Sequence, residues 1–265
     1  MTPTENASQT KRIAVIPGDG IGVEVTRESV KVLRAAAPQT LQFTEFDWGA
    51  ERYLRDGTTL PAGAVEMFHR DFDAILFGAV GDPRVPSNRH AADILLGLRS
   101  KLDLYVNLRP VELLDPALTP LRDRGISDVQ FVVVRENTEG LYVGAGGHFQ
   151  RGTPHEVAIQ EDVNTRRGVE RIIRYAFEYA RSKKLHRVCM SDKSNALTFG
   201  HELWLRVFRE VKGDYGDVES RHHYVDALAM EMVRDPSQFD VIVTCNLFGD
   251  ILSDLGSQLA GGLGL

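Results

Sequence analysis

The chain has 265 residues, long enough for one large domain or two of medium size with a substantial buried core. A hydrophobic fraction of 43% and a charged fraction of 26% are those of an ordinary globular protein, and a net charge of −6 gives no electrostatic footing for nucleic acid or an anionic membrane. No stretch approaches the roughly 18 apolar residues needed to span a bilayer, so no membrane partner is expected and any anionic ligand must meet a local cluster of bases.

Met1–Thr10 is polar and has no apolar segment of the signal-peptide kind, so a frayed tail is expected there. Arg12–Ile16 is a short apolar run that ends at Pro17-Gly18-Asp19-Gly20-Ile21-Gly22, and Val23–Ala37 follows with helical spacing. The glycine turn has two readings: a place for phosphate to approach a helix N-terminus, or a tight strand-to-helix turn. It is not the dinucleotide fingerprint, because with Gly18 and Gly20 as the first two glycines the third falls on Val23.

Further strands are expected at Leu41–Asp47, Asp73–Ala79, Leu104–Leu113, Val129–Arg135, Arg187–Met190, Glu219–Val225 and Asp240–Thr244. Helices are expected at Ala91–Leu102, Thr165–Ser182, Thr198–Val211, Ala227–Arg234 and Phe248–Ala260. Such alternation argues an α/β architecture with a largely parallel sheet covered on both faces. Gly140–Asp162 breaks the pattern: its glycines and the alternating Glu156–Glu161 suggest two extended arms joined by a turn. An isolated hairpin is marginal in water, so this one is expected to pack on another chain. Gly261–Leu265 is loop-like, which leaves the last helix without a following strand.

Cys189 and Cys245 form no C-x-x-C, sit in strand-like runs and read as small apolar core residues; a reducing cytoplasm is the default location. Trp48 and Trp204 carry no spacing beyond core packing, and His222 and His223 point to opposite faces of a strand, which argues against a shared metal site.

Arg99, Arg109 and Arg135 carry more. Arginine at the end of a buried strand, as Arg135 is, needs an anionic partner, either a substrate carboxylate or an internal acid. Asp250 and Asp254 are spaced i, i+4, so a helix projects both carboxylates from one face. Either a hard cation such as Mg²⁺ or Mn²⁺ sits between them, or they are solvated and favoured by the helix dipole. Lys193, just past a strand, is a base if its pKa is lowered and otherwise an ordinary exposed lysine. Asp226 is a third oxygen ligand or the N-cap of the next helix.

Seven segments, in order, resemble the isocitrate/3-isopropylmalate dehydrogenase family of β-decarboxylating dehydrogenases. They are Ile16–Gly22, Gly78–Gly81, Asn107-Leu-Arg-Pro110, Val134-Arg-Glu-Asn-Thr-Glu-Gly-Leu-Tyr142, Asp192-Lys-Ser-Asn195, Tyr224-Val-Asp226 and Asn246–Asp254. The resemblance implies a two-domain fold with a mostly parallel, mixed sheet, not a Rossmann fold, and a β-arm at 140–162 for dimerisation. It implies a cofactor-side domain from 1–104 plus 256–265, and a substrate, metal and dimerisation domain from 105–255. Arg99, Arg109 and Arg135 would grip the substrate carboxylates. Asp226, Asp250 and Asp254 would hold Mg²⁺ or Mn²⁺, with Asp226 and the base Lys193 supplied by the second subunit of a homodimer. Tyr142 would protonate the enolate carbon, and Asn195 and Ile21 would lie on the NAD side.

Isocitrate enzymes of the family carry a serine and an asparagine six and four residues before the first arginine, where this chain has Asp93 and Leu95. Leu95 and Leu96 form an apolar wall that suits an isopropyl group and leaves a third carboxylate unpaired. The resemblance therefore implies oxidation and decarboxylation of 3-isopropylmalate, with a tartrate/malate-type enzyme of the same family as the alternative. One departure is His90-Ala91-Ala92, where isopropylmalate enzymes usually place a glutamate. The family pattern continues past the glycine run with the loop that binds the adenosine half of NAD, so a truncated or non-catalytic subunit is the further alternative.

Overall fold

The computed structural model describes residues Thr10–Leu263; the tail expected over Met1–Thr10 therefore lies, up to Gln9, outside the described residues, as do Gly264 and Leu265. The chain forms two compact units that divide between Asp103 and Leu104.

The first unit is built on three parallel strands in the order β2-β1-β3, with β1 at Lys11–Gly18, β2 at Leu41–Glu45 and β3 at Ala74–Ala79. Helix α1 (Ile21–Ala36) follows β1, the short α2 (Ala50–Asp56) and α3 (Ala64–Asp71) lie between β2 and β3, and α4 (Arg89–Lys101) closes the unit. Its core gathers Ala14, Ile16, Trp48, Phe68, Ile94 and Leu98, with Phe46 and Phe72 edge-on to Phe68. β1 and α1 approach β3 so closely that side chains are excluded. A Cβ on Gly78 would lie 2.1 Å from the Pro17 carbonyl oxygen, and one on Gly18, whose φ is +76°, would lie 2.1 Å from that of Ala79.

Asp19, 7% exposed, locks the glycine turn. Its Oδ1 accepts the Ala50 N–H at 2.6 Å, its Oδ2 accepts the Gly81 N–H at 2.9 Å, and His90 Nε2 lies 2.8 Å from Oδ2. The turn is thus a tight strand-to-helix connection whose carboxylate is spent on the backbone around it.

The second unit carries a five-stranded sheet in the order β4-β5-β10-β8-β9. These are β4 at Val106–Glu112, β5 at Gln130–Glu136, β8 at Arg187–Asp192, β9 at Glu219–Tyr224 and β10 at Val241–Thr244, with only β4 antiparallel. Helices α5 (Arg166–Lys183) and α6 (Gly200–Val211) cover one face; α7 (Val225–Arg234) and α8 (Asn246–Leu259) cover the other. The two-residue period of β5 sorts its side chains accordingly: Val132 and Val134 pack with Ile172, Phe177 and Trp204, while Phe131 and Val133 pack with Leu228, Met232 and Leu252. Cys189 and Cys245 are buried free thiols, and burial pushes both pKa values up to about 12.

Residues 256–259 were expected to return to the first domain, but they belong by contact to the second unit. They continue α8, and Leu259 packs in the same cluster as Leu252, Val111 and Phe131. Between β5 and α5 the expected hairpin is present, with β6 (Gly146–Phe149) antiparallel to β7 (Val157–Gln160). All eight strand residues are exposed, Phe149 to 62%. Among the described residues no helix is long and apolar enough to cross a membrane.

The exclusion of side chains between β1 and β3 gives a direct check. Gly78→Ala is expected to lower the stability of the first unit by about 2–4 kcal/mol, since the obstructing atom is backbone and cannot move aside. Urea unfolding followed by Trp48 fluorescence reads this, and an unchanged midpoint would count against the close approach.

Candidate active site

The carboxyl ends of parallel strands are where open α/β sheets place their ligands, because the helices that follow start there and leave a crevice. In the second unit this edge carries, in spatial order, Arg135 on β5, Asn246 and Asp250 after β10, Lys193 after β8, and Asp226 after β9.

Arg135 ends β5 at 3% exposure. Its Nε and Nη2 donate to Asn246 Oδ1 at 2.9 and 2.7 Å, and its Nη1 donates to Asp250 Oδ1. The buried cation is therefore both hydrogen-bonded and charge-paired. α8 can approach this closely because position 249 is glycine; a Cβ there would lie 2.5 Å from Arg135 Cγ. The other oxygen of Asp250 accepts from Tyr142 Oη at 3.0 Å, and the Arg135 guanidinium stands over the Tyr142 ring at 5.6 Å.

Arg109 lies on the adjacent antiparallel strand, opposite Val133, which puts it on the same sheet face as Arg135 and diagonal to it. Such diagonal neighbours sit ~7–8 Å apart, a spacing that two carboxylates of one small acid bridge. Arg109 Nε donates to Asn107 Oδ1 at 2.8 Å, Asn107 Nδ2 to Asn137 Oδ1 at 3.0 Å, and Asn137 Nδ2 to the Leu104 carbonyl at 2.8 Å.

Asp250 is half-buried and Asp254 exposed, one turn apart on α8, whose first and last turns carry no basic residue. Asp226 lies in the first turn of α7, whose N-cap is Tyr224 rather than Asp226, and accepts from Lys193 Nζ at 2.5 Å; that hydrogen bond holds its carboxyl below the usual carboxylate range. Among the described residues no three histidine, cysteine, aspartate or glutamate side chains gather as a metal cage within this chain. Asn195 is exposed on the turn after Lys193.

The remaining expected residues belong to the first unit. Leu95, Leu96 and Arg99 occupy consecutive turns of α4, with Leu95 and Leu96 half-buried and on the side that Arg99 shares at i, i+4 and i, i+3. Ile94 and Leu98 take the buried side. Ile21 opens α1 at 64% exposure.

Several partners escaped the sequence reading. Asn246 was visible only as part of a motif, and nothing in its spacing linked it to Arg135. Asn107 did leave a signal, since it stands two residues before Arg109 and so on the same strand face. The Lys193–Asp226 pair follows from β8 and β9 being parallel neighbours, with Asp192 opposite Tyr224.

The sequence profile of the isocitrate/isopropylmalate dehydrogenase family matches residues 12–265. A 3-isopropylmalate dehydrogenase from Thermobifida fusca is 51% identical over 262 residues, covering 98% of this chain and 74% of the relative. One from Streptomyces coelicolor is 47% identical over 260 residues, covering 97% and 74%. Among solved structures, an isocitrate dehydrogenase from Methylococcus capsulatus superposes with a TM-score of 0.86 at 38% identity, over 97% of this chain and 73% of that one. A protein from Thermus thermophilus gives 0.85 at 38% identity, over 97% of this chain and 50% of its own. The chain spans about three quarters of the length of the curated dehydrogenases it matches. The buried arginine, its helix carboxylate and the lysine-aspartate pair along one sheet edge thus sit in a chain that belongs to the isocitrate/isopropylmalate dehydrogenase family.

Proposed function

We propose that the chain is built for the oxidative decarboxylation of 3-isopropylmalate to 2-oxoisocaproate in leucine biosynthesis, with NAD as hydride acceptor and Mg²⁺ or Mn²⁺ as the metal. The observation that carries this reading is the hydrogen-bonded set Arg135, Asp250 and Tyr142, with Arg109 diagonal to Arg135 on the same sheet face. It provides cations for an acid's carboxylates, a carboxylate for a metal, and a phenol for proton transfer.

The donor set fits the metal. Asp250 and Asp254 are hard oxygen donors one helical turn apart, and without a cation between them their charges oppose one another. Arg135 and Tyr142 take one hydrogen bond each on the two Asp250 oxygens, which leaves further lone pairs. A cation held by Asp250, Asp254 and the partner subunit's Asp226 would polarise the C2 oxygen and stabilise the negative charge that develops as CO₂ leaves. NAD would take the C2 hydride.

The chain's own groups divide the rest of the work. Arg109 and Arg135 bind the substrate carboxylates through paired N–H donors, and Arg99 is assigned to carboxylate binding by the family pattern. Lys193 accepts the proton of the C2 hydroxyl as the hydride departs. Tyr142 then delivers a proton to the carbon that lost CO₂; its Oη is already oriented by Asp250. Asn195 and Ile21 are assigned to the cofactor side. Leu95 and Leu96, half-buried beside Arg99 on α4, form the wall for the isopropyl group.

The reading requires two copies. Asp226 and Lys193 follow β9 and β8, three and two strand steps from the end of β5, where the Asp250 carboxylate meets Arg135; these steps correspond to ~14 and ~10 Å. A metal needs its oxygens ~2 Å from itself, so the Asp226 that completes the Asp250 site comes from a second chain. Apolar side chains on α7 and α8 are left in the open, with Met230 at 68%, Ile251 at 58% and Val233 at 45% exposure. Phe149, Val157 and Ile159 of the hairpin are similarly uncovered, at 62%, 49% and 42%. Both patches suit a homodimer with shared sites.

A panel of 3-isopropylmalate, isocitrate, tartrate, malate and homoisocitrate, each with NAD and Mn²⁺, tests the reading. We expect 3-isopropylmalate to lead in kcat/KM by at least about tenfold; isocitrate as the best substrate would remove the assignment of Leu95 and Leu96. Asp250→Asn is expected to weaken the dependence on Mn²⁺ by about 10–100-fold. Unchanged activity of that variant at limiting Mn²⁺ would remove the metal assignment.

A further inference from the structure

Lys193 leaves β8 on a turn that is fastened behind the amine. Its backbone N–H donates to Nδ1 of His201 at 2.9 Å. The adjacent Asp192, fully buried, accepts the Ser194 N–H at 3.0 Å and pairs with His222 Nε2 at 3.0 Å. His201 lies in the first turn of α6, 2% exposed, with its ring 5.1 Å from that of Phe248 on α8.

Because Nδ1 accepts, the neutral ring is assigned its proton on Nε2. That nitrogen faces Asp162 Oδ2 at 3.7 Å, too far for a hydrogen bond but close enough for a strong charge–dipole interaction. Burial holds the imidazole below its ordinary pKa, against the raising influence of Asp162 and Asp192, so the ring is neutral and its acceptor nitrogen available. Asp162 belongs to the base of the hairpin. It accepts Asn164 Nδ2 at 2.9 Å, Asn164 Oδ1 accepts Trp204 Nε1 of α6 at 2.8 Å, and the neighbouring Val163 closes the hairpin against Gly140. Position 200 is glycine, where a Cβ would lie 2.6 Å from Asn164 Nδ2. The start of α6 is therefore pressed directly onto the foot of the arm.

We propose that His201 is a positioning residue that ties the turn carrying Lys193 to the base of the hairpin arm, so that seating the arm and placing the lysine are one structural event. This rests on the reading of Lys193 as the base. A proton acceptor must be held within ~0.5 Å of its productive place, and a misplacement of about 1 Å costs ~100-fold in rate. Asp192 holds the turn to β9 through His222, on the side away from the arm. His201 adds the tie to the arm, because one ring nitrogen accepts from the lysine's peptide N–H and the other faces Asp162.

Amide hydrogen exchange at Lys193, measured on the full chain, tests the proposal without turnover. His201→Leu is expected to speed that exchange at least about tenfold, and His201→Asn, whose Oδ1 replaces Nδ1 as acceptor, to restore it to within about threefold. Asp162→Ala is expected to speed it several-fold, roughly, through loss of the carboxylate that orients the ring. With 3-isopropylmalate, NAD and Mn²⁺, His201→Leu should lower kcat about 10–100-fold while leaving KM within about twofold, and His201→Asn should recover most of the loss. Exchange at Lys193 that is unchanged in His201→Leu, or no better in His201→Asn, would overturn the positioning role. Unchanged exchange in Asp162→Ala would overturn the link to the arm. If His201→Leu does not fold, His201→Asn and Asp162→Ala still decide. Absence of turnover in the parent chain would count against the proposed reaction, and the exchange results would still decide whether His201 holds the Lys193 turn.

Discussion

The arrangement of the second unit follows from one constraint: a guanidinium is buried at the carboxyl end of β5. An unpaired cation at that depth is unsustainable, so neighbouring elements must bring it oxygen atoms. Parallel pairing of β10 with β5, in the register Thr244 to Arg135, puts the start of α8 beside the guanidinium. Asn246 then caps two of its N–H groups and Asp250 neutralises its charge. Gly249 lets the helix come that close. Once Asp250 is fixed, the Tyr142 hydroxyl is fixed with it, and Asp254 follows one turn later along the same helix.

The same constraint separates architecture from chemistry within the densest motif. In Val134–Tyr142 only Arg135 and Tyr142 reach the Asp250 carboxylate. Glu136, 2% exposed, accepts the backbone N–H groups of Thr138 and Glu139 and the Thr138 hydroxyl. Glu139 accepts the Thr165 N–H and hydroxyl at the start of α5, where glycine at 168 leaves it room. Asn137 braces the Asn107–Arg109 strand. Two acids that look like catalytic candidates in a list of residues are thus turn-forming groups. Asp19 plays the corresponding part in the first unit, holding the start of α2 and the segment after β3 to the glycine turn.

Much of this was legible in the sequence because it rests on periodicity. The unbroken apolar run of β5 and the helical spacing of α5 through α8 are local patterns, and the hairpin announces itself through glycines and alternation. What escaped was either short or non-local. α2 and α3 have 7 and 8 residues and glycine N-caps without side-chain caps, so neither a full period nor an N-capping side chain marks them. Helix α8 begins two residues earlier than its apolar pattern, at Asn246, whose polar side chain is engaged with Arg135. The union of Lys193 with Asp226, and the return of residues 256–259 to the second unit, depend on strand order and packing, which no local pattern contains.

Under the proposed reaction, the sheet edge of one chain is half of a site. The arginines with the α8 carboxylates lie at one end of the edge, and Lys193 with Asp226 at the other. Subunit complementation tests this most directly: two inactive variants, Arg135→Met and Lys193→Met, are unfolded together, refolded as a mixture and assayed with 3-isopropylmalate, NAD and Mn²⁺. If each site takes its arginine from one chain and its lysine from the other, every hybrid dimer regains one intact site, and the mixture recovers about one quarter of the parent activity. If both groups act within a single chain, no hybrid has an intact site. A mixture that forms hybrids yet stays inactive would contradict the account.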